Sequence, residues 1–421
     1  MRLIARHIRF NGLQWWILPL AVADLAILFL RTRYWIGIWP EAGAAAQVPA
    51  LILGVAASGL AAWISGSRAR HRVEEQLAAA PRRPALLEFY RFSAVLFTFT
   101  VPYACGVIAA WAFTVVHNPP GMAMFFAYAL AGAIALWLAC GFGWLVGRVL
   151  AGRFATVIAI LGWVIVGFNF GPSIGLSFVS GHAYMDVSFA SLALRWTAGI
   201  LFLGSLLFLP LSIRRKLQIP VLASLMTTVL AAVVIANNPM VHEREVPKKE
   251  TCTTGSIEFC YWPEEAKYVP MMREVGLRAS KLPAVFKLPE RAHEYGLKVD
   301  RIRIGSKVVE QTTGDFSILE GNKWSLASSL ASTISQKTFT SECDWSAAEA
   351  NNDYTADKLQ HWVEITLAGG GTPEYRLGNG GAPGFYAARQ QAAEIAKHNT
   401  RSAQYAWAAK SAEKFDERYC R

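Results

Sequence analysis

The chain has 421 residues, of which 53% are hydrophobic and 17% charged, and its mean hydropathy is +0.29. A soluble domain carries about a quarter charged residues, so disorder, a disulfide miniprotein and an ordinary soluble enzyme are all disfavoured. The net charge of +11 does not describe a nucleic-acid binder. The first 240 residues hold 17 Lys+Arg against 6 Asp+Glu, and the remaining 181 hold 24 of each. All of the excess lies in the apolar half, as in a membrane protein with a biased inner face.

Seven stretches are long and apolar enough to span a bilayer, which takes about 20 helical residues. They lie near 13–31, 44–65, 91–116, 122–147, 154–172, 195–212 and 219–237. The first follows a basic N-terminal segment, 1–12, and is followed by Arg31, Arg33 and Trp35 rather than by a small-residue cleavage site, so it reads as an uncleaved span. Aromatic residues Trp15, Trp16, Tyr34, Trp35 and Trp39 flank it, as interfacial residues do. With the N-terminus inside, the inner segments carry 14 basic residues and the outer loops three, Arg31, Arg33 and Arg195. The inner acids are Glu74, Glu75 and Glu88. This bias sets the orientation, and an odd number of spans exports the C-terminal region.

The spans contain few ionisable groups. Asp24 is the one acid well inside a span; an intramembrane charge is a functional candidate, weighed against simple pairing with a polar neighbour or water near the outer end. A proton-coupled transporter calls for a chain of such groups, and a single Asp counts against it. Asn169 in the fifth span lines a polar path or bonds across helices, the latter being the plainer reading. Gly143 and Gly147 have GxxxG spacing, a helix-packing signal with a high background. Cys105 and Cys140 read as small packing residues.

The inner loop 67–90 is the most informative segment. Val73, Leu77 and Ala80 give one apolar side to a charged helix that ends at Pro81-Arg82-Arg83-Pro84. An interfacial helix on anionic lipid explains this pattern, and so does a docking helix for a cytoplasmic partner.

After a polar linker at 238–250 comes a segment of about 170 residues, 251–421, long enough for its own core. Ile257, Phe259 and Tyr261 alternate within 256–261, which predicts a strand. Pro263-Glu264-Glu265 opens a helix, and a second strand is expected near 299–309. Helices follow near 322–336, 346–368, 383–398 and 401–419, with Ser346 and Glu349 at capping-box spacing. Tyr405, Ala408, Ala412, Phe415 and Tyr419 form one stripe, read as core packing. Gly369-Gly370-Gly371 ends a helix, and the Gly-rich run to Gly384 is read as a loop, because it follows no strand as a phosphate loop must.

Four cysteines, Cys252, Cys260, Cys343 and Cys420, fall in this segment. In an oxidising compartment they make two disulfides with three possible connectivities; Cys252–Cys260 and Cys343–Cys420 are favoured, the second as a staple on the last helix. No CxxC occurs and no His stands at ligand spacing beside them, so no metal site is expected. His242, His293, His361 and His398 form no HExxH, and no GxSxG elbow or Walker A motif occurs. The chain is therefore not expected to be an enzyme by itself.

At the inner loop the chain resembles the permeases of ABC exporters of the second type. In that family a Glu-x-x-Leu-like helix precedes a Pro and a basic residue, and Glu74, Glu75, Leu77, Pro81, Arg82 and Arg83 correspond to it here. The resemblance implies that this loop couples to a cytoplasmic ABC ATPase subunit, which holds the ATP and Mg, and that a second permease subunit pairs with this one. The stretch CTTGSIEFCYWPE (252–264) and the terminal Cys420 resemble the extracytoplasmic region of permease-like proteins of GC-rich bacteria. The usual permease has six spans and both termini inside, so a seventh span is a departure.

The sequence thus leads to an α-helical polytopic membrane protein with about seven transmembrane helices and a C-terminal disulfide-bonded α+β extracytoplasmic domain. It would sit in a bacterial cytoplasmic membrane with the N-terminus inside. Its expected role is the permease of an ATP-driven exporter of a hydrophobic or amphipathic substrate. The alternatives are a membrane-anchored binding, immunity or sensory protein without transport, and a membrane-tethered hydrolase.

Overall fold

The structure is a computed structural model that describes residues 2–30, 32–70, 84–150, 154–167, 181–208, 233, 235, 237–304, 307–319, 321–340, 342–371 and 383–420. The fold is mainly helical and divides into two compact units, Met1–Glu243 and Arg244–Arg421.

The first unit opens with α1 (Arg2–Phe10) and α2 (Gln14–Phe29). These two meet at 85°, and the turn needs Gly12, whose φ of +67° suits glycine. A short α3 (Thr32–Trp35) leads to α4 (Trp39–Arg70). The sequence of α4 starts it well: Pro40 and Glu41 occupy the first turn, where a missing N–H and a negative charge both fit. Then follow α5 (Pro84–Val115), α6 (Met122–Leu150), α7 (Ala155–Ile165) and α8 (Phe189–Phe208). Strand β1 (Met185–Val187) pairs antiparallel with β2 (Val241–Glu243). Part of the expected linker is therefore strand.

Among the described residues, four helices are long and apolar enough to cross a membrane: Trp39–Ser67, Leu86–Val115, Met122–Leu150 and Phe189–Leu206. The bent pair α1–α2 makes up to five. These meet the expected spans at 44–65, 91–116, 122–147 and 195–212, and α2 lies within 13–31. Of the remaining two, 154–172 is represented by the 11-residue α7, and most of 219–237 lies outside the described residues. The helix α8 begins before Arg195 because Ser188 caps it, its Oγ accepting the Ser191 N–H at 3.2 Å.

The core of this unit is the α4–α6 seam, where small residues let backbones approach. A Cβ at Gly143 would lie 1.9 Å from Ser58 O, and one at Gly147 would lie 2.3 Å from Ala62 O. Large apolar side chains such as Ile52, Phe97, Ile108, Phe126 and Ile200 point outward, as lipid-facing residues do.

The second unit has a three-stranded sheet in the order β3 (Thr251–Cys252), β4 (Glu258–Tyr261), β5 (Arg291–His293). Strand β4 runs antiparallel to β3 and parallel to β5. Being central, it buries Phe259 and Cys260 on opposite faces. Pro263–Tyr268 is a 3-10 turn, not yet an α-helix, and α9 (Val269–Ala279) continues from it. The single strand expected near 299–309 is a hairpin of β6 (Lys298–Ile304) and β7 (Lys307–Thr313).

The helices are α10 (Lys323–Thr338), α11 (Trp345–Ala350), α12 (Thr355–Ala368), α13 (Pro383–His398) and α14 (Arg401–Tyr419). The helix expected over 346–368 is broken at Asn352, whose φ is +51°. Asp344 caps α11, accepting the Ala347 N–H at 2.9 Å, so the Ser346–Glu349 capping box is not the start signal. Gly369, at φ +88°, ends α12. The α14 stripe buries Ala408, Ala412, Phe415 and Tyr419. Trp362 of α12 is fully buried and meets the Tyr405 ring edge-on at 5.5 Å.

Candidate functional site

Residues 71–83 lie outside the described residues, and with them Glu74, Glu75, Leu77, Pro81, Arg82 and Arg83. Asn169 does too. The helices on either side of that loop are described, and their ends are joined by buried charge.

Glu88, in the second turn of α5, is 2% exposed. It pairs with Arg91 of the same helix and with Arg148 of α6, each at 3.2 Å. Arg91 also donates to Ile64 O at 2.6 Å and to Ser67 Oγ at 2.9 Å, both near the end of α4. Arg148 donates to Leu206 O of α8 at 2.9 Å. Arg148 thus meets a carbonyl in the last turn of α8, where the helix dipole favours a cation, and Arg91 bonds one that lies further inside α4. The Arg91 guanidinium also stands 5.8 Å from the Trp144 ring centre. One carboxylate with two guanidinium groups ties α4, α5, α6 and α8 together where the 71–83 loop leaves α4 and returns on α5. The Glu88/Arg91 spacing of three was visible in sequence; Arg148, 57 residues beyond Arg91, carried no local signal.

Asp24 is fully buried. Its carboxyl sits against Gly106 of α5: a Cβ there would fall 1.7 Å from Oδ2. Neither carboxyl oxygen has a hydrogen-bond partner among the described residues.

In the second unit both favoured cysteine pairs are at disulfide distance, Cys252–Cys260 and Cys343–Cys420. Cys105 is exposed and Cys140 buried, both as free thiols. Contrary to the sequence reading, a histidine does stand beside a cysteine. Parallel pairing puts His293 opposite Cys260, and Glu250 joins them with all three potential ligand atoms within 4.8 Å. Linear spacing hid this, since a parallel partner is distant in the chain. The Cys260 sulfur is committed to Cys252, however. His293 is held by carboxylates instead, with Nδ1 3.3 Å from Asp315 and Nε2 3.6 Å from Glu250.

A second buried cluster was also missed. Glu264, Glu265 and Glu294 are 6%, 3% and 4% exposed. Arg244 pairs with Glu264 at 2.9 Å and lies 4.4 Å over the Trp262 ring. Glu294 hydrogen-bonds to the Glu265 side chain, and a bond between two carboxyl groups needs a proton on one of them. Burial pushes the Glu294 carboxyl up to about 7, with the Glu264 charge adding to burial; the bonds from Glu265 and Trp262 pull the other way. The acids at 264 and 265 read in sequence as a helix start; their burial depends on packing against Glu294.

Comparison with family models, with curated proteins and with solved structures returns no match.

Proposed function

We propose that the chain is the membrane subunit of an ATP-driven transporter of ABC type, exporting a hydrophobic or amphipathic substrate. A separate cytoplasmic ATPase docks on the 67–90 loop and supplies ATP and Mg, and a second permease subunit completes the pathway. The N-terminus is inside a bacterial cytoplasmic membrane, and the 251–421 region is outside.

The observation that carries this reading is the Glu88–Arg91–Arg148 network. A push on the loop reaches α4 through Arg91 and reaches α6 and α8 through Arg148. Helices linked by buried ion pairs move as a body, because separating the charges costs several kcal/mol. The test is co-purification of the full chain with a Walker-motif ATPase. The partner is retained by the wild type and lost in Glu74→Ala/Glu75→Ala/Arg82→Ala. A complex that transports without any ATPase overturns the reading.

A second reading is favoured by the compactness of the second unit, which has its own core and two cystines. In it the membrane helices only display this unit as a binding, immunity or sensory module. Placing residues 244–421 on an unrelated single-span anchor separates the two: full complementation of a deletion strain supports display, and none supports transport.

A further inference from the structure

Strand pairing in the second unit gathers four side chains of metal-ligating type. Cys252 of β3 stands directly opposite Cys260 of β4, and His293 of β5 stands opposite Cys260 on its other flank. Glu250 precedes Cys252 by two residues, the spacing that returns a side chain to the same face of a strand. The Cys260 sulfur, a His293 ring nitrogen and a Glu250 carboxylate oxygen all lie within 4.8 Å of one another. The histidine–glutamate side of this triangle, Nε2 to Oε1, is 3.6 Å. A tetrahedral zinc ion with ligands at about 2.1 Å holds its nitrogen and oxygen about 3.4 Å apart.

The histidine is already oriented for such an ion. Asp315 Oδ2 accepts the His293 backbone N–H at 2.9 Å and lies 3.3 Å from Nδ1. A carboxylate only accepts, so Nδ1 carries the hydrogen and the Nε2 lone pair is turned toward Glu250. Ligating histidines are fixed by carboxylates in the same way. Cys260 is fully buried, whereas the His293 and Glu250 side chains are 20% and 30% exposed. The cluster thus has a sulfur floor and a rim that an ion can enter. Its charge also closes: two thiolates and a carboxylate exceed a divalent cation by one negative charge, and Arg291, 3.7 Å from Glu250, offsets it. In the disulfide form the sulfurs do not serve, because the thiolate is the ligand.

We propose that Cys252, Cys260, His293 and Glu250 form a redox-gated site for a divalent cation of the zinc class, shut by the Cys252–Cys260 disulfide and opened by a dithiol. The dithiol is oxidised to its own disulfide. Its two electrons and two protons pass to the two cysteine sulfurs as the Cys252–Cys260 bond breaks. The cation then replaces the two thiol protons, which go to water. Two sulfurs, Nε2 and one Glu250 oxygen complete a tetrahedral set. The strand ladders keep both cysteines adjacent once the bond between them is open. Re-oxidation expels the ion. This does not depend on an ATPase or on transport by the membrane unit.

Cobalt(II) is the probe, because its absorption reports both tetrahedral geometry and thiolate ligation. The full chain in detergent is titrated with cobalt before and after reduction by a phosphine, which leaves no competing dithiol. The expected result is a thiolate–cobalt charge-transfer band at one ion per chain, present after reduction, absent before it, and lost in reduced His293→Ala. No such band in the reduced wild type overturns the proposal, and so does an equal band in reduced His293→Ala. If His293→Ala does not fold, Cys252→Ser decides. It frees the Cys260 thiol without any reductant and leaves Cys343–Cys420 closed. A thiolate–cobalt band in that variant above the oxidised wild type supports the site, and its absence overturns it.

Discussion

Glu294 accepts the backbone N–H of Trp262 at 3.0 Å, and so fastens the end of β5 to the residue that precedes the 3-10 turn. That contact is made in a pocket of three glutamates, and it has a pH dependence. The unfolded Glu294 ionises in the ordinary carboxylate range, whereas the folded group holds its proton to about 7. Between those values the folded state binds more protons than the unfolded one, so stability falls as pH rises and levels off above about 7. The loss is at most on the order of 3 kcal/mol. Hydrogen exchange of the β4 and β5 peptides in the full chain should quicken over that window. Glu294→Gln copies the protonated shape and should flatten the profile, with slower exchange than the wild type at pH 8.

Removing Glu88 should be severe. Glu88→Ala leaves Arg91 and Arg148 facing each other in a site where the acid was 2% exposed. Breaking a buried pair from one side costs about 3–5 kcal/mol. A thermal melt of detergent-solubilised protein should drop accordingly. Replacing Glu88, Arg91 and Arg148 together with apolar residues should recover much of the loss, and would also disconnect the loop from the helices.

The α4–α6 seam predicts a graded series. Gly143→Ala meets Ser58 O and Gly147→Ala meets Ala62 O, both backbone atoms that cannot swing aside. Overpacking of this kind costs about 1–3 kcal/mol. Gly204→Ala, with nothing within 4 Å, should leave the melting temperature unchanged in the same assay.

The start of α11 offers a local test. Asp344→Ala removes the acceptor of the Ala347 N–H and should cost about 1 kcal/mol. Ser346→Ala should cost little, because Ser346 is inside the helix and not its cap. Hydrogen exchange of the peptide that spans α11, measured in the full chain, compares the two.

The four long apolar helices were legible because length and hydropathy are properties of contiguous sequence. The helix ends were less so. Ser346 and Glu349 had capping-box spacing, yet Asp344 caps, because the turn at Cys343 presents its carboxylate first. The pairing of β6 with β7 leaves little trace in the sequence, because both arms are mixed in polarity. At the sites the same division holds. Glu88 and Arg91 are neighbours on one helix and could be paired by spacing. Arg148, Gly106 opposite Asp24, His293 opposite Cys260 and Glu294 beside Glu265 all depend on tertiary pairing that leaves no local pattern.

The Cys343–Cys420 bond joins positions 77 residues apart, and α11 to α14 all lie between them. A single proteolytic cut anywhere in that interval opens the chain without releasing a fragment. On a non-reducing gel the nicked protein would migrate near its full mass, and the pieces would part only when a reductant is added. A protease that clips this region in its native setting would thus change its connectivity without shedding any of it.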